Sequence, residues 1–423
     1  MASYLGDTFA AFESRLFRVL WTGTFLAFIA FFMSTVVQGI VAFDIKGNNE
    51  AVGLVVLAQG VAQLLLNPLG GALADRLSKR MVILACQIVI TVCFFALALL
   101  VITDRITIGF LFAGSFLIGA VFSFLGPARQ GLMVELVGPM RRGNAIALSQ
   151  VALNASRIAG PLLAAATLGI DPIGAAGAYA LMGAFYVAAM VCTYNLPATK
   201  PAVTASSRSI AGEIWTGLVY VRKTPRIRTL IPSYILVIMV GFSYTTVLPG
   251  LVEHEMGRKA SQITFLLIFN AIGGLIASLG VASLADSKHA QAIYTFMCFL
   301  FGAALAGSGL APGYWWLAGV MFFVGAGGGG FQTLNGAIVS HLTDPAYFGR
   351  VMSLTFLAFA ASSIFAFPVG LLADQIGERA ILVISGAVVC AIVAMFALAG
   401  RFERAPAPRP PSLHLTPEPK PDL

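Results

Sequence analysis

Charged side chains are scarce in this chain, so the places where they gather are the places where chemistry can be done. The densest is Gly70–Arg80, GGALADRLSKR, which sets one acid, Asp75, among three bases, Arg76, Lys79 and Arg80, between two runs almost free of charge. A carboxylate ending one helix can accept backbone N–H bonds from the positive start of another. Lys79 or Arg80 can pair with Glu135, and Arg76 can support Asp75; otherwise all four act only as loop charges that set topology. Two further bases, Arg129 and Arg157, interrupt long apolar runs, where a charge is costly and as a rule faces a cavity or a partner. Arg157 lies about 22 Å beyond Arg142 at the helical rise. Each arginine lines a central cavity as a positive spot able to meet an anionic group or, structurally, caps carbonyls or pairs across helices.

The acids show the complementary pattern. All 18 Asp and Glu residues fall in a tail, in a loop or near the end of an apolar run. Proton coupling wants a titratable group whose exposure alternates, which reduces the candidates to Asp44, Glu135, Glu253, His254 and His341. His341 occupies roughly the place in the second half of the chain that Glu135 has in the first. There is no HExxH, no GxSxG and no phosphate-cradling loop, so no enzyme is expected. The five cysteines lie within apolar runs with no CxxC and read as packing residues, with neither disulfide nor metal site expected.

The elements that must position these residues are membrane helices. Of 423 residues, 58% are hydrophobic and only 10% charged, with a mean hydropathy of +0.89, far outside the soluble range. A bilayer core needs about 20 apolar residues per helical span, and the in-out alternation of a transmembrane barrel is missing. Twelve spans are predicted, at 16–43, 51–74, 80–102, 106–137, 143–169, 173–196, 229–252, 261–284, 290–311, 314–341, 348–373 and 379–400. The fold class is therefore an all-α membrane protein, with segments 1–15 (N-terminal), 16–196 (first six-helix bundle), 197–228 (linker), 229–400 (second bundle) and 401–423 (Pro-rich tail, expected disordered). No cleaved leader is expected, because the first apolar run is too long for one. In the linker, Ile210, Ile214, Leu218 and Val221 share one face of a helix that ends in bases, the pattern of an interfacial helix.

Bases set the orientation. Arg76, Lys79, Arg80, Arg141, Arg142, Arg222, Lys223, Arg226, Arg228, Arg401 and Arg404 fall on one side of the predicted spans, against Lys46, Arg105, Arg258, Lys259 and Arg379 on the other. Both termini are expected in the cytoplasm of a bacterial-type inner membrane. The net charge of +8 expresses this topology and an attraction to anionic membrane lipid; no compact basic domain exists to hold nucleic acid.

The two halves echo one another. GALADR (71–76) recurs as VASLADS (281–287) and again in GLLADQIGER (370–379), while LNASRIAGPLLAA (153–165) parallels FAASSIFAFPVGLLA (359–373). A six-plus-six pseudo-repeat accounts for these offsets.

With GGALADRLSKR between spans two and three, the chain resembles the major facilitator superfamily, whose motif there runs approximately G-x-L-A-D-R-x-G-R-K; Ser78 replaces the second glycine. The stretches at 126–161 and 217–230 resemble the drug:proton antiporter branch that includes enterobactin-exporter-like and macrolide-efflux-like proteins. The resemblance implies a latch of Asp75 onto the start of span eleven, near Phe348–Arg350, with Asp286 in a degenerate second copy. It implies antiport from Gly160-Pro161 in span five, although Ser156 and Ala164 stand where glycines are usual. The GAGGGG run at 325–330 either packs span ten or hinges it. Spans one, four, seven and ten would line the cavity with Phe32, Gln38, Phe116, Phe122, Tyr234, Phe242, Tyr244, Phe322, Phe331 and Gln332, joined by Asn154 of span five. The expected activity is export of a hydrophobic or amphipathic small molecule (a drug, siderophore or similar metabolite) by alternating access with proton antiport. The proton gradient is the coupling source, no cofactor is required, and a monomer is expected. The alternatives are a lysophospholipid or lipid flippase of the same fold and, in another class, a sensor or membrane enzyme.

Overall fold

The computed structural model describes residues 10–137, 142–170, 174–197, 210–282, 284, 287, 289–344 and 347–402. Asp286 lies outside them, as do 1–9, 198–209 and 403–423 of the terminal and linker segments; the side chains of Asp75, Arg76, Asn154 and His341 are likewise outside the description. All regular structure among the described residues is helical, the solution open to a chain whose backbone polar groups must be satisfied within lipid. In chain order the helices are α1 (Arg15–Lys46), α2 (Asn49–Arg76), α3 (Lys79–Ile102), α4 (Ile108–Val137), α5 (Arg142–Leu168), α6 (Gly174–Tyr194), α7 (Ile210–Lys223), α8 (Pro225–Gly241), α9 (Tyr244–Gly250), α10 (Ile263–Ala282), α11 (Ala290–Gly309), α12 (Tyr314–Leu342), α13 (Phe348–Ile376) and α14 (Glu378–Phe402). Among the described residues, twelve segments are long and apolar enough to cross a bilayer. Large apolar side chains such as Val92, Leu99, Leu279 and Met395 are more than half exposed, as suits a surface wrapped in hydrocarbon.

The seventh span differs from the continuous 229–252 helix read from hydropathy. It breaks at Phe242–Ser243 between α8 and α9, then ends in a π turn over Leu251–Glu255. The apolar pattern continues through the break, so hydropathy does not register it. α7, the linker helix, carries Arg222 and Lys223 in its last turn.

Packing repeats at an interval of six spans. α1 packs on α5 and α6, α2 on α4, and α3 on α4 and α6; correspondingly α8 packs on α13 and α14, α10 on α12, and α11 on α12 and α14. The bundles then meet along two seams, α2 with α13 and α5 with α10, which the same exchange interconverts.

Glycine sets how closely these helices approach. A Cβ at Gly53 would stand 2.8 Å from the Ala366 carbonyl oxygen, and one at Gly60 would stand 2.6 Å from Ser363 Cβ, so α2 and α13 touch backbone to backbone. A Cβ at Gly160 would come within 2.7 Å of Phe32 Cβ, which brings α5 onto α1, with Pro161 inside the helix. The GAGGGG run does not break α12. Gly325 and Gly329 press on Asn270 and Gly274 of α10, while Gly327 and Gly330 meet Phe301 and Met297 of α11. The run is therefore a two-sided packing surface in this conformation.

Candidate functional site

At the base-rich end, α2 finishes with the turn that carries Asp75 and Arg76, and α3 begins at Lys79. Lys79 Nζ forms an ion pair with Glu135 of α4, and its stem lies against Gly131, one turn earlier, where a Cβ would stand 2.6 Å from the Lys79 Cε. Arg80 Nη2 donates to the Tyr194 carbonyl at 2.7 Å, with its guanidinium 5.2 Å from the ring centroid of that residue. Lys79 and Arg80 thus tie α3 to α4 and to the end of α6, all within the first bundle.

The opposite, base-poor end holds bonds that cross between the bundles. α1 stops at Gly47, whose φ of +65° and N–H bond to the Phe43 carbonyl turn the chain into α2. Three N–H groups at the start of α2 have no partner within a helix. Asn48 Oδ1 accepts from Ala51 at 3.1 Å. The other two go to Asp374, in the last turn of α13: its Oδ1 accepts from the Asn49 N–H at 2.9 Å and its Oδ2 from the Glu50 N–H at 2.8 Å. The Asn49 side chain, fully buried, also donates to Asp374 Oδ1 at 2.8 Å and to Glu378 Oε1 at 2.9 Å. Glu378, buried at the start of α14, is 2.8 Å from His254 Nδ1, and the His254 ring sits 5.3 Å from that of Phe43. Arg379 Nε donates to Glu255 at 2.7 Å and its Nη1 to the Ala311 carbonyl at 2.7 Å. Asp44 and Glu253 are exposed and share an open crevice with Arg258 and Lys259.

Between these ends sit the two arginines. Arg129 is buried, its guanidinium 5.1 Å from the Phe28 ring centroid, and its Nη2 has no hydrogen-bond partner. Tyr186 and Cys86 are its electrostatic neighbours. Arg157 is half-buried, 5.7 Å from the Phe32 ring centroid, and within electrostatic range of Tyr234 in the second bundle. Phe28 and Phe32 stand one turn apart on α1, so the two guanidiniums cover successive rings of one stripe. Phe122 of α4 joins that stripe, with its centroid 4.0 Å from Phe31 and 6.4 Å from Phe28.

The remaining cavity candidates divide by burial. Phe116, Phe122, Phe322 and Gln332 are half-buried, and Gln332 donates to the Gly328 carbonyl. Gln38 is buried and bonded to Ser115. Tyr234 and Phe331 belong to the buried core of the second bundle, where half-buried Phe242, Tyr294 and Phe301 meet the Phe331 ring edge-on or tilted; Tyr244 is buried beside Phe242. Asn49, Asp374, Glu378 and Phe28 were not among the residues singled out by sequence. For Asp374 a signal existed, since it ends the third LAD copy, GLLAD.

The fold agrees with what the chain resembles. Solved structures with similar folds include a POT family transporter in complex with a thioalcohol-conjugated peptide (TM-score 0.74, 13% identity, 91% of this chain and 96% of that one). The nucleoside transporter NupG is another (TM-score 0.74, 13% identity, 91% and 99%). Among curated proteins, the chain is 24% identical over 295 residues to the Staphyloferrin A transporter of Staphylococcus aureus, covering 69% of this chain and 72% of that protein. It is 23% identical over 271 residues to Multidrug resistance protein 1 of Bacillus subtilis, covering 62% and 64%. A sequence profile of the Major Facilitator Superfamily matches residues 20–366. The chain is a membrane transporter that belongs to the Major Facilitator Superfamily.

Proposed function

We propose that this transporter exports a hydrophobic or amphipathic small molecule across a bacterial-type inner membrane by alternating access, with protons moving the other way. In this reading the base-rich end is cytoplasmic and both termini lie there. The observation that carries it is the pairing of α2 with α13, antiparallel helices from opposite bundles that Asp374 fastens at the outer end. The same two helices bring Asp75 and the start of α13 to the inner end. Fastening one end while the other parts is the motion alternating access needs.

The inner latch is assigned to Asp75, supported by Arg76, with Lys79, Arg80 and Glu135 bracing the first bundle around it. Asp286 is the corresponding acid of the second half. Titratable groups at the outer end, namely Asp44, Glu253 and His254 with its partner Glu378, are the candidates for proton exchange; His341 is the candidate at the inner end. Export, rather than uptake, is supported by the Gly160-Pro161 pair in α5 and by the name of the Bacillus subtilis relative, Multidrug resistance protein 1. The name of the Staphylococcus aureus relative widens the cargo class to siderophores.

The test is reconstitution in proteoliposomes with an imposed pH gradient. Substrate-linked proton flux is expected with at least one member of a panel of amphipathic drugs and metabolites. Substrate movement that ignores the gradient would remove the antiport step, and no movement with any member would remove the exporter reading.

A further inference from the structure

We infer that the cargo of this transporter is an amphipathic anion, whose carboxylate or sulfonate group is met by Arg157 and Arg129 while its apolar body lies along the aromatic stripe of α1. The inference rests on the transport reading for what the site is for, but not for what it binds.

The charge balance of the membrane interior comes first. Neither α1 before Asp44, nor α4 before Glu135, nor α5 or α6 contains an Asp or Glu. The two guanidiniums therefore sit at depth with no carboxylate at their level on these helices or on α2, whose acids Glu50 and Asp75 stand at its ends. A buried, unpaired charge is costly, and proteins retain one when something else supplies the counter-charge. Ring faces supply part: Phe28 lies under Arg129 and Phe32 under Arg157. A ring face returns less than a desolvated guanidinium loses. The shortfall is visible at Arg129, which is 8% exposed and whose Nη2 has no partner, beside a Tyr186 hydroxyl that also has none.

Geometry points the same way. Phe28 and Phe32 are four residues apart, about 6 Å along the helix, so the guanidiniums are stacked over one stripe and not scattered. Arg157 is the more exposed of the two and lies within electrostatic range of Tyr234 in the second bundle, so a ligand entering between the bundles reaches it before Arg129. Arg129 lies deeper and adds a second positive charge. The half-buried rings of Phe28, Phe31, Phe32 and Phe122 form an apolar surface beside the charges. Guanidinium forks match carboxylates and related oxyanions in geometry. A cationic ligand would meet two like charges and no acid.

The test uses the full-length protein in phosphatidylcholine nanodiscs with three probes that share one apolar body: naphthalene-2-carboxylate, its carboxamide and 2-naphthylmethylammonium. The carboxylate is expected to bind at least about tenfold more tightly than the carboxamide, with the ammonium weakest. Arg157→Gln is expected to bring the carboxylate-to-carboxamide ratio to about one and Arg157→Lys to keep most of it. Arg129→Gln is expected to lower the ratio severalfold; should it fail to elute as a monodisperse protein, the two Arg157 variants decide alone. A ratio near one in the unmodified protein, or a preference that survives Arg157→Gln in folded protein, overturns the inference. Adding phosphatidylglycerol to the nanodiscs separates two sources of the anion. Competition by the lipid assigns it to an anionic headgroup and absence of competition to a free solute, and either result upholds the amphipathic anion. Proteoliposomes separate this inference from the exporter reading: gradient-driven movement of the carboxamide without anion preference sinks the inference alone. Selective carboxylate binding without gradient-driven movement sinks the exporter reading alone.

Discussion

The two ends of the α2–α13 pair carry the same three-residue phrase, LAD, at the end of a helix, in different surroundings. At Asp374 the phrase is followed by Gln375 and Ile376, and the carboxylate crosses between bundles to the first two N–H groups of α2. At Asp75 it is followed by three bases, of which Lys79 and Arg80 engage Glu135 and Tyr194 within their own bundle. The comparison teaches that acid and bases divide the work. An acid at a helix end is sufficient to reach another helix start, since aligned peptide dipoles and free N–H groups attract it without a counter-ion. The bases at the other end brace the first bundle, Lys79 against Glu135 and Arg80 against the end of α6.

That division can be broken most strongly at the seam. Gly60→Leu would place a side chain where even a Cβ would stand 2.6 Å from Ser363 Cβ; overpacking of this kind costs about 1–3 kcal/mol. The outer ends of α2 and α13 should part, with nitroxide distances measured by double electron–electron resonance shifting to the longer population. An unchanged distribution would show that the seam does not govern closure.

Next in size are the two acids. Asp374→Ala removes a capping acceptor worth about 1 kcal/mol, so the open-outside population should rise about fivefold. Asp75→Asn should move the balance the other way and cut transport while the protein still elutes as folded material. Combining the two should return the distribution toward that of the unmodified protein. Wild-type transport in the Asp75→Asn variant would reject the inner latch, and shifts of the same sign would reject the opposition between the ends.

The smallest effect is expected at Lys79→Met. The Glu135 carboxylate is 38% exposed, and half-exposed pairs contribute about 0–1 kcal/mol. A thermal-shift assay should register at most a slight loss, and the spin-label distances should stay where they were. A large conformational shift would mean that Lys79 belongs to the latch itself.

Much of this architecture is legible in sequence because lipid simplifies the code: a long run without charges has to be a helix. The twelve spans and the six-plus-six echo follow from that, and the repeat of packing partners in the two bundles agrees with it. Three things are not legible, each for a physical reason. The LAD copy at Asp374 is visible as a string, but its partner is fixed by the antiparallel register of α2 and α13, which no local pattern encodes. The glycines of α12 read equally as hinge or packing until both α10 and α11 are in place. Arg129 and Arg157 stand out by charge alone and Phe32 as a cavity candidate, whereas Phe28 is one among 32 phenylalanines, and neither ring is matched to its guanidinium until α1 is set against α4 and α5.

The seam of α2 against α13 has a mechanical consequence. Gly53 and Gly60 make that contact from backbone and small side chains, so few rotamers interlock there and few need to rearrange when the helices separate. Friction along such a surface is low, so at this seam the resistance to separation falls on the handful of directional bonds around Asn49 and Asp374. A transporter built this way opens abruptly once those bonds let go, much as a smooth door depends on its catch.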